Sequence, residues 1–148
     1  RAELTGAIEG RGFSAQLACE VVDRLEAVGL VDDQAYADAL VRARFAGSGA
    51  SVRALRELLV RKGLDASTIE CALSQIDRED EVERAAQLVE RKRRALAGVP
   101  RDTAYRRLSS MLARKGYSPS VASAVVREAL DEWGDEGDHA QEEWQWGL

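Results

Sequence analysis

Three glycines recur at nearly equal spacing along the chain and stand in the same local pattern. Gly12, Gly63 and Gly116 lie 51 and 53 residues apart, and each follows a basic residue and precedes an apolar one. A glycine in this setting is typical of a left-handed residue that ends one helix shortly before another begins. The 148-residue chain is therefore expected to contain three copies of one helical unit.

The residues around each glycine have the apolar spacing of helices. Two apolar side chains stand eight and four residues before it, and a Ser or Asp after it precedes four apolar residues at i, i+3, i+4 and i+7. The pairs are Leu4 and Ile8, Leu55 and Leu59, and Leu108 and Leu112; the sets of four are Ala18, Val21, Val22 and Leu25, then Ile69, Ala72, Leu73 and Ile76, then Ala122, Val125, Val126 and Ala129. We expect these side chains to face the core.

A further helix is predicted before the second copy and before the third. The first of the two begins with Asp32 and Asp33, which we interpret as N-terminal caps, and ends by Gly49. Its counterpart begins with Glu79 and ends by about Gly98. The inward stripe of this counterpart is expected to consist of Val82, Ala85, Ala86 and Val89. Each complete unit therefore has three helices.

These eight helices predict an all-α protein built from tandem three-helix repeats. The predicted boundaries are a partial first repeat of two helices at 1–29, a second repeat at 30–78, a third at 79–132 and an acidic, flexible tail at 133–148. The first repeat lacks a counterpart of the first helix, and we expect it to be truncated. Because one unit buries little surface alone, we expect an elongated, curved array of either hand. An ordinary helical bundle is the alternative.

The side chains that catalysis usually requires are scarce. The one histidine, His139, lies in the tail, Cys19 and Cys71 are far apart, and no phosphate-binding glycine loop is present. We expect a non-enzymatic, monomeric binding protein without a cofactor or metal. No run of residues is apolar enough to span a membrane and no export signal precedes the repeats, which predicts a cytoplasmic protein. Both cysteines are then expected to be reduced and buried.

Charge is distributed unevenly along the chain. The formal net charge is −5, yet residues 131–148 hold seven acids and no Lys or Arg, whereas residues 84–116 hold ten basic side chains against two acids. Residues 91–94 are four consecutive cations. They indicate either a solvated helix surface or a contact with an anionic partner. Arg114 and Lys115 are interpreted as cations that offset the dipole at a helix C-terminus.

The residues between the first and second glycines resemble a known signature. The segment Gly29-Leu30-Val31-Asp32-Asp33-Gln34-Ala35-Tyr36-Ala37, followed by Arg44, by Arg53-Ala54-Leu55-Arg56-Glu57-Leu58 and by Arg61-Lys62-Gly63, is similar to the signature of the RecX family of bacterial recombination regulators. Ala113-Arg114-Lys115-Gly116-Tyr117-Ser118 resembles the end of that family's third repeat. The resemblance extends over roughly residues 4–130.

The resemblance implies a function in homologous recombination. A member of this family is a small cytoplasmic protein of three three-helix units that binds the RecA recombinase filament on single-stranded DNA. It restrains the ATPase and strand exchange of that filament, in DNA repair and the SOS response, and some members also bind DNA. This sequence departs from the family in its truncated first repeat, its Gly/Ser-rich segment at 46–51 and its acidic tail.

Ten basic residues are candidate contacts with recombinase or DNA, because Arg offers planar, multidentate contacts to carboxylates and phosphates. They are Arg42, Arg44, Arg53, Arg56, Arg91, Lys92, Arg93, Arg94, Arg106 and Arg107. For each one the alternative is a solvated charge that contributes under ~1 kcal/mol. The aromatic residues Phe13, Tyr36 and Tyr117 are expected to be core or junction residues, because none of them is interleaved with the basic run.

Other function classes remain open. A sequence-independent nucleic-acid-binding helical protein would bind DNA without recombinase, and an interaction scaffold would bind neither. A reader of duplex sequence is disfavoured, because the third helices consist mostly of Ala, Val, Ser and Glu. The tail carries Trp133, Trp144 and Trp146. We expect it either to solubilise the protein or to fold back onto the basic residues.

Overall fold

The repeat pattern of the sequence forms a succession of helices. The computed structural model describes the backbone of residues 1–145 and the side chains of residues 1–134. Over this part of the chain there are eight α-helices, one short 3₁₀ helix and no strand. The helices are α1 (Ala2–Gly10), α2 (Ala15–Ala27), α3 (Asp33–Ser48), α4 (Val52–Arg61), α5 (Ala66–Leu73), α6 (Arg78–Glu90), α7 (Arg101–Arg114) and α8 (Pro119–Gln145), with the 3₁₀ helix at Arg94–Leu96. The prediction of an all-α protein with three-helix repeats is confirmed.

Short polar side chains begin most of the helices. Asp32 accepts a hydrogen bond from the amide of Ala35 at 3.0 Å and caps α3 as predicted. The same prediction was wrong for Asp33, which is the first residue of the helix. At that position a carboxylate lies near the positive end of the helix dipole and does not bond the third amide. At the start of α6, Asp77 and Asp80 form a reciprocal capping box.

The three glycines of the repeat end their helices as predicted. Gly12, Gly63 and Gly116 follow α1, α4 and α7 with φ angles of 94°, 76° and 92°. The surroundings of Gly63 add a second requirement, because a Cβ atom built there would lie 2.6 Å from the Cβ of Ala2. The start of α1 therefore packs directly on the turn that ends α4.

The structure divides into two compact units, residues 1–76 and residues 77–148. In the first unit, α3, α4 and α5 pack against one another and share one buried cluster. The cluster consists of Ala37 and Val41 from α3, Leu55 and Leu59 from α4, and Ile69, Ala72 and Leu73 from α5. The inward face predicted for the second repeat is therefore confirmed at its centre.

The helices α1 and α2 bury much less than the sequence predicted. Ala18 and Val22 are buried, but Leu4 is 42% exposed, Val21 38% and Phe13 54%. The inward positions predicted for Leu4 and Val21 were therefore wrong, and of the core or junction positions predicted for Phe13, its exposure excludes the core. In the second repeat α5 packs against both α3 and α4, whereas within the described chain α2 packs extensively against α1 alone.

The burial predicted for the cysteines is also wrong. Both Cys19 and Cys71 are exposed. Cys19 follows the fully buried Ala18, and Cys71 precedes the fully buried Ala72. One step along a helix turns a side chain by about 100°, which moves it off a narrow buried stripe.

The second unit has its own core between α6, α7 and α8. Its buried residues are Ala85, Leu88 and Val89 from α6, Ala104, Leu108 and Leu112 from α7, Tyr117, and Ala122, Val125, Val126 and Leu130 from α8. Tyr117 is a core aromatic as predicted, and burial raises the pKa of its phenol to about 12.

The inward face of α6 differs from the predicted one. Val82 is 37% exposed and Ala86 is exposed, whereas Arg84 and Leu88 are buried beside Ala85. Arg84 is tolerated there because its guanidinium donates to Gln87 at 3.0 Å while its aliphatic stem packs on the core.

The last helix continues beyond the predicted repeat. Its backbone is helical to Gln145, and Trp133 lies on it. The side chains of His139, Trp144 and Trp146, and with them the predictions for the acidic tail, lie outside the described residues. Within the described part, every helix is too short or too polar to cross a lipid bilayer.

Candidate anion-binding site

The run of four cations does not lie on a helix. The sequence predicted that α6 continues to about Gly98, but the helix ends at Glu90. The amides of Lys92 and Arg93 bond the carbonyls three residues earlier, at 2.9 and 3.1 Å. Such bonds tighten a helix end into a 3₁₀ turn, which satisfies carbonyls that the α-helix leaves open. Residues 91–100 thus form a linker between α6 and α7, and we call them the linker below.

A groove opens between the linker and α7. Its volume is about 640 Å³. Four cations line it, together with two hydroxyls and an apolar base. The cations are Lys92, Arg106, Arg107 and Arg114; the other lining residues are Ala95, Leu96, Thr103, Leu108, Ser110 and Met111. No carboxylate is among the lining residues of this groove within the described chain.

The helical repeat of α7 explains why this face is polar and basic. Thr103, Arg107, Ser110 and Arg114 follow one another at i, i+4, i+7 and i+11 and share one stripe. Arg106 flanks that stripe. The adjacent stripe enters the core of the unit, so α7 is anchored by one face and presents its cations on the next.

The groove concentrates positive charge. Within the part of the chain that the structure describes, Lys92, Arg106, Arg107 and Arg114 form no salt bridge. Four like charges around one cavity repel one another and raise the local positive potential. A bound anion relieves that repulsion, so the arrangement favours phosphate or carboxylate groups.

The remaining cations of the run point elsewhere. The guanidinium of Arg93 lies 5.7 Å from the ring centroid of Trp133 and 3.4 Å from a carboxylate oxygen of Glu90. Arg91 and Arg94 are exposed and are not among the residues that line the groove. Only Lys92 therefore extends from the run into the groove.

The candidates in the first unit have partners of their own. Arg56 donates to both carboxylate oxygens of Glu70, at 3.0 and 3.2 Å. Arg53 lies 3.5 Å from Glu57. Arg42 donates to Gln75 at 3.2 Å, and Arg44 is exposed on α3. The carboxylates already offset the charges of Arg53 and Arg56, which makes these two weaker anion sites than the groove.

Sequence reasoning missed two participants. Arg114 was interpreted only as a cation that offsets the dipole of its helix, but it also lines the groove. Its spacing of seven residues from Arg107 is the signal that could have revealed this. Trp133 lies beside Arg93 although the two are forty residues apart, and no pattern in the sequence connects them.

Residues of the signature around Tyr36 and Gly63 form a junction in which charged side chains are paired with one another. Leu30, Tyr36 and Lys62 line a cavity of about 260 Å³ together with the start of α1. The ammonium of Lys62 donates to Glu3 at 2.7 Å. This bond raises the pKa of Lys62 above its usual value, and the Tyr36 hydroxyl adds to the effect. Tyr36, 40% exposed, is thus a junction aromatic between the first and second repeats.

Comparison with known proteins identifies the family. The family model described as the second three-helix domain of RecX matches residues 32–73, and that of the third matches residues 79–126. The chain is 46% identical over 143 residues to the regulatory protein RecX of Streptomyces lividans, which covers 97% of this chain and 76% of that protein. The chain belongs to the RecX family.

Other RecX proteins agree in sequence and in fold. The regulatory protein RecX of Thermobifida fusca is 41% identical over 138 residues, which cover 93% of this chain and 75% of that one. The crystal structure of RecX from Lactobacillus salivarius has a TM-score of 0.75 at 20% identity and covers 86% of this chain and 82% of its own. A further crystal structure of regulatory protein RecX has a TM-score of 0.70 at 25% identity, over 82% of this chain and 60% of that one. The groove lies within the range that matches the third RecX domain.

Proposed function

We propose that this RecX protein is a non-enzymatic regulator of homologous recombination and DNA repair. It binds the RecA-type recombinase filament on single-stranded DNA as a cytoplasmic monomer and restrains ATP hydrolysis and strand exchange. Membership of a family of regulatory proteins supports this proposal. The groove of the third repeat indicates which residues make the contact. Its lining residues in the described chain include four cations and no carboxylate.

The groove suits a nucleoprotein filament because such a filament presents anionic groups at regular intervals. Phosphates of the bound strand and carboxylates of the recombinase are both ligands that Arg binds through two parallel hydrogen bonds. A protein of tandem units can make several weak contacts with a repetitive target, and their linkage raises the combined affinity. Restraint of the filament then requires occupancy alone and no chemical step.

The test is ATP hydrolysis by a recombinase filament assembled on single-stranded DNA. We expect the protein to inhibit hydrolysis, and we expect R106Q/R107Q to raise the concentration that gives half-inhibition by about 3- to 30-fold. The matched control is R53Q/R56Q, which also removes two cations from one helix. Its effect should be smaller because Glu57 and Glu70 already neutralise those two charges.

Two results would contradict this proposal. Absence of inhibition at several-fold excess of the protein would favour an interaction scaffold with another partner. Equal effects of R106Q/R107Q and R53Q/R56Q would show that the groove of the third repeat is not the contact. The second result would leave the regulatory function supported and would contradict only the assignment of the contact to the groove.

Sequence-independent binding of nucleic acid is the second candidate, and the same groove favours it. A strand held by all four cations of the groove would bind with a slope of log affinity against log salt of about −2.8, because each phosphate neutralised on a single strand contributes about −0.7. Binding of single-stranded DNA without recombinase, combined with no inhibition of hydrolysis, would favour this candidate.

A further inference from the structure

Trp133 on α8 holds the beginning of the linker. Its indole Nε1 donates to a carboxylate oxygen of Glu90, the last residue of α6, at 3.2 Å. The guanidinium of Arg93 lies over the ring, 5.7 Å from its centroid, and 3.4 Å from the other carboxylate oxygen of Glu90. Three side chains thus close a triangle that joins the end of α6, the linker and α8.

Asp131, two residues earlier on α8, holds the far end of the linker. Its carboxylate accepts a hydrogen bond from Arg101, the first residue of α7, at 2.6 Å. One turn of α8 therefore contacts Arg93 near the start of the linker and Arg101 immediately after its end. We call Asp131 and Trp133 the α8 clasp. The matched range of the third RecX domain ends at residue 126, before the clasp.

Short backbone hydrogen bonds and two apolar contacts shape the linker, and the clasp adds side-chain contacts at its two ends. Its regular structure is limited to the 3₁₀ helix of three residues. Leu96 and Val99 are its hydrophobic residues that pack against the core of the unit. Residues 91–94 carry four positive charges that repel one another. Arg93 is held against Trp133, and its neighbour Lys92 lines the groove.

We propose that Trp133 and Asp131 are positioning residues for the anion-binding groove. They do not line the groove, and they act by directing Lys92 into it. The proposal rests on the proposed function of the groove. It adds a specific role for a turn of α8 whose side chains are not among those lining the groove. Loss of the clasp should remove one cation from the groove and leave Arg106, Arg107 and Arg114 in place on α7.

The experiment measures the affinity of the full chain for a short fluorescein-labelled oligothymidylate by fluorescence anisotropy between about 50 and 200 mM salt. The W133L variant removes both the hydrogen bond and the ring. We expect affinity to fall about two- to fivefold and the salt slope to change from about −2.8 to about −2.1, because one phosphate contact is lost. The K92Q variant should give the same slope.

The double variant K92Q/W133L separates positioning from general damage. If Trp133 acts through Lys92, the double variant binds as K92Q alone does, since the cation that Trp133 would position is already gone. A purely structural effect of Trp133 would add a further loss in the K92Q background and would leave the salt slope of W133L at the wild-type value. D131N, which weakens the bond to Arg101, should change the slope in the same direction as W133L.

The matched control is Y105L. Tyr105 is the other aromatic residue of this unit over which an Arg side chain lies, with Arg127 at 6.0 Å. Tyr105 is not among the residues that line the groove, and it lines a separate cavity together with residues of α8. Y105L should therefore leave the salt slope unchanged. Amide hydrogen exchange in residues 91–98 gives an independent readout, with faster exchange expected in W133L and wild-type exchange in Y105L.

The outcomes distinguish the two proposals. Suppose that the affinity of the wild-type protein for the oligonucleotide does not depend on salt, and that R106Q/R107Q leaves this affinity unchanged. These two results together would overturn both the groove as an anion site and the role of the clasp. A wild-type slope that W133L retains, with linker exchange also unchanged, overturns the clasp alone. A reduced slope in W133L that is not additive with K92Q supports the positioning role.

Discussion

Substitution of Gly63 tests why a glycine ends α4. Gly63 and Gly29 have the same φ angle of 76°. A Cβ at Gly63 would lie 2.6 Å from the Cβ of Ala2, whereas a Cβ at Gly29 would meet nothing within 4 Å. The pair G29A and G63A therefore imposes the same backbone penalty, and only the second variant creates a clash.

The size of each effect follows from these contacts. A side chain in the left-handed region costs about 1–2 kcal/mol at either position. Carbon atoms pack at about 3.5–4.0 Å, so the start of α1 must move by about 1 Å to accommodate the methyl group that G63A introduces, and such overpacking costs about 1–3 kcal/mol. Because α1 buries none of its residues, it can move readily, which places the extra cost in the lower part of that range. We expect a total loss of about 2–4 kcal/mol for G63A against about 1–2 for G29A.

Urea denaturation followed by circular dichroism measures both losses, and a double-mutant cycle isolates the clash. The A2G substitution removes the atom that the new methyl group of G63A would meet, so A2G/G63A should recover the extra loss of about 1–2 kcal/mol relative to the sum of the single variants. Equal losses in G29A and G63A, or a coupling of zero between positions 2 and 63, would refute the close approach. The positive φ angle of Gly63 alone would then explain why a glycine ends α4.

Three further predictions concern stability. Ser51 is fully buried and accepts a bond from the Ala54 amide at 3.1 Å, so S51A should lose about 0.5–2 kcal/mol in urea denaturation; an unchanged midpoint would contradict the cap. L59A should lose about 2–5 kcal/mol and V60A under about 0.5, because Leu59 is fully buried and Val60 is 59% exposed. The Tyr117 phenol, with its pKa raised from 10.0 to about 12, ionises more readily in the unfolded chain, so stability should fall as pH rises from 10 to 12. The fall in stability should be smaller in Y117F, and identical profiles of stability against pH in the two proteins would contradict this prediction.

The fold was accessible from the sequence because three levels of signal agree. Glycine spacing, capping residues and apolar stripes agree on the helix ends, as at Gly63, which follows α4, and at Asp65, which caps α5. The prediction failed where hydropathy is a poor guide to burial. Arg84 is buried because its aliphatic stem packs on the core and its guanidinium bonds Gln87. Phe13 is exposed because burial needs an opposing helix, which a local pattern does not reveal.

The groove could be predicted only in part from the sequence, because the position at which α6 ends determines which cations line it. Had the helix continued through residues 91–94, the four charges would have pointed around a full turn. It ends at Glu90 instead, and beyond this end Lys92 lines the groove while Arg93 lies over the ring of Trp133. A local charge count treats both residues alike, yet one lines the groove and the other is held by an aromatic ring forty residues away. The tertiary partner, rather than the charge itself, therefore determines which cation can bind a ligand.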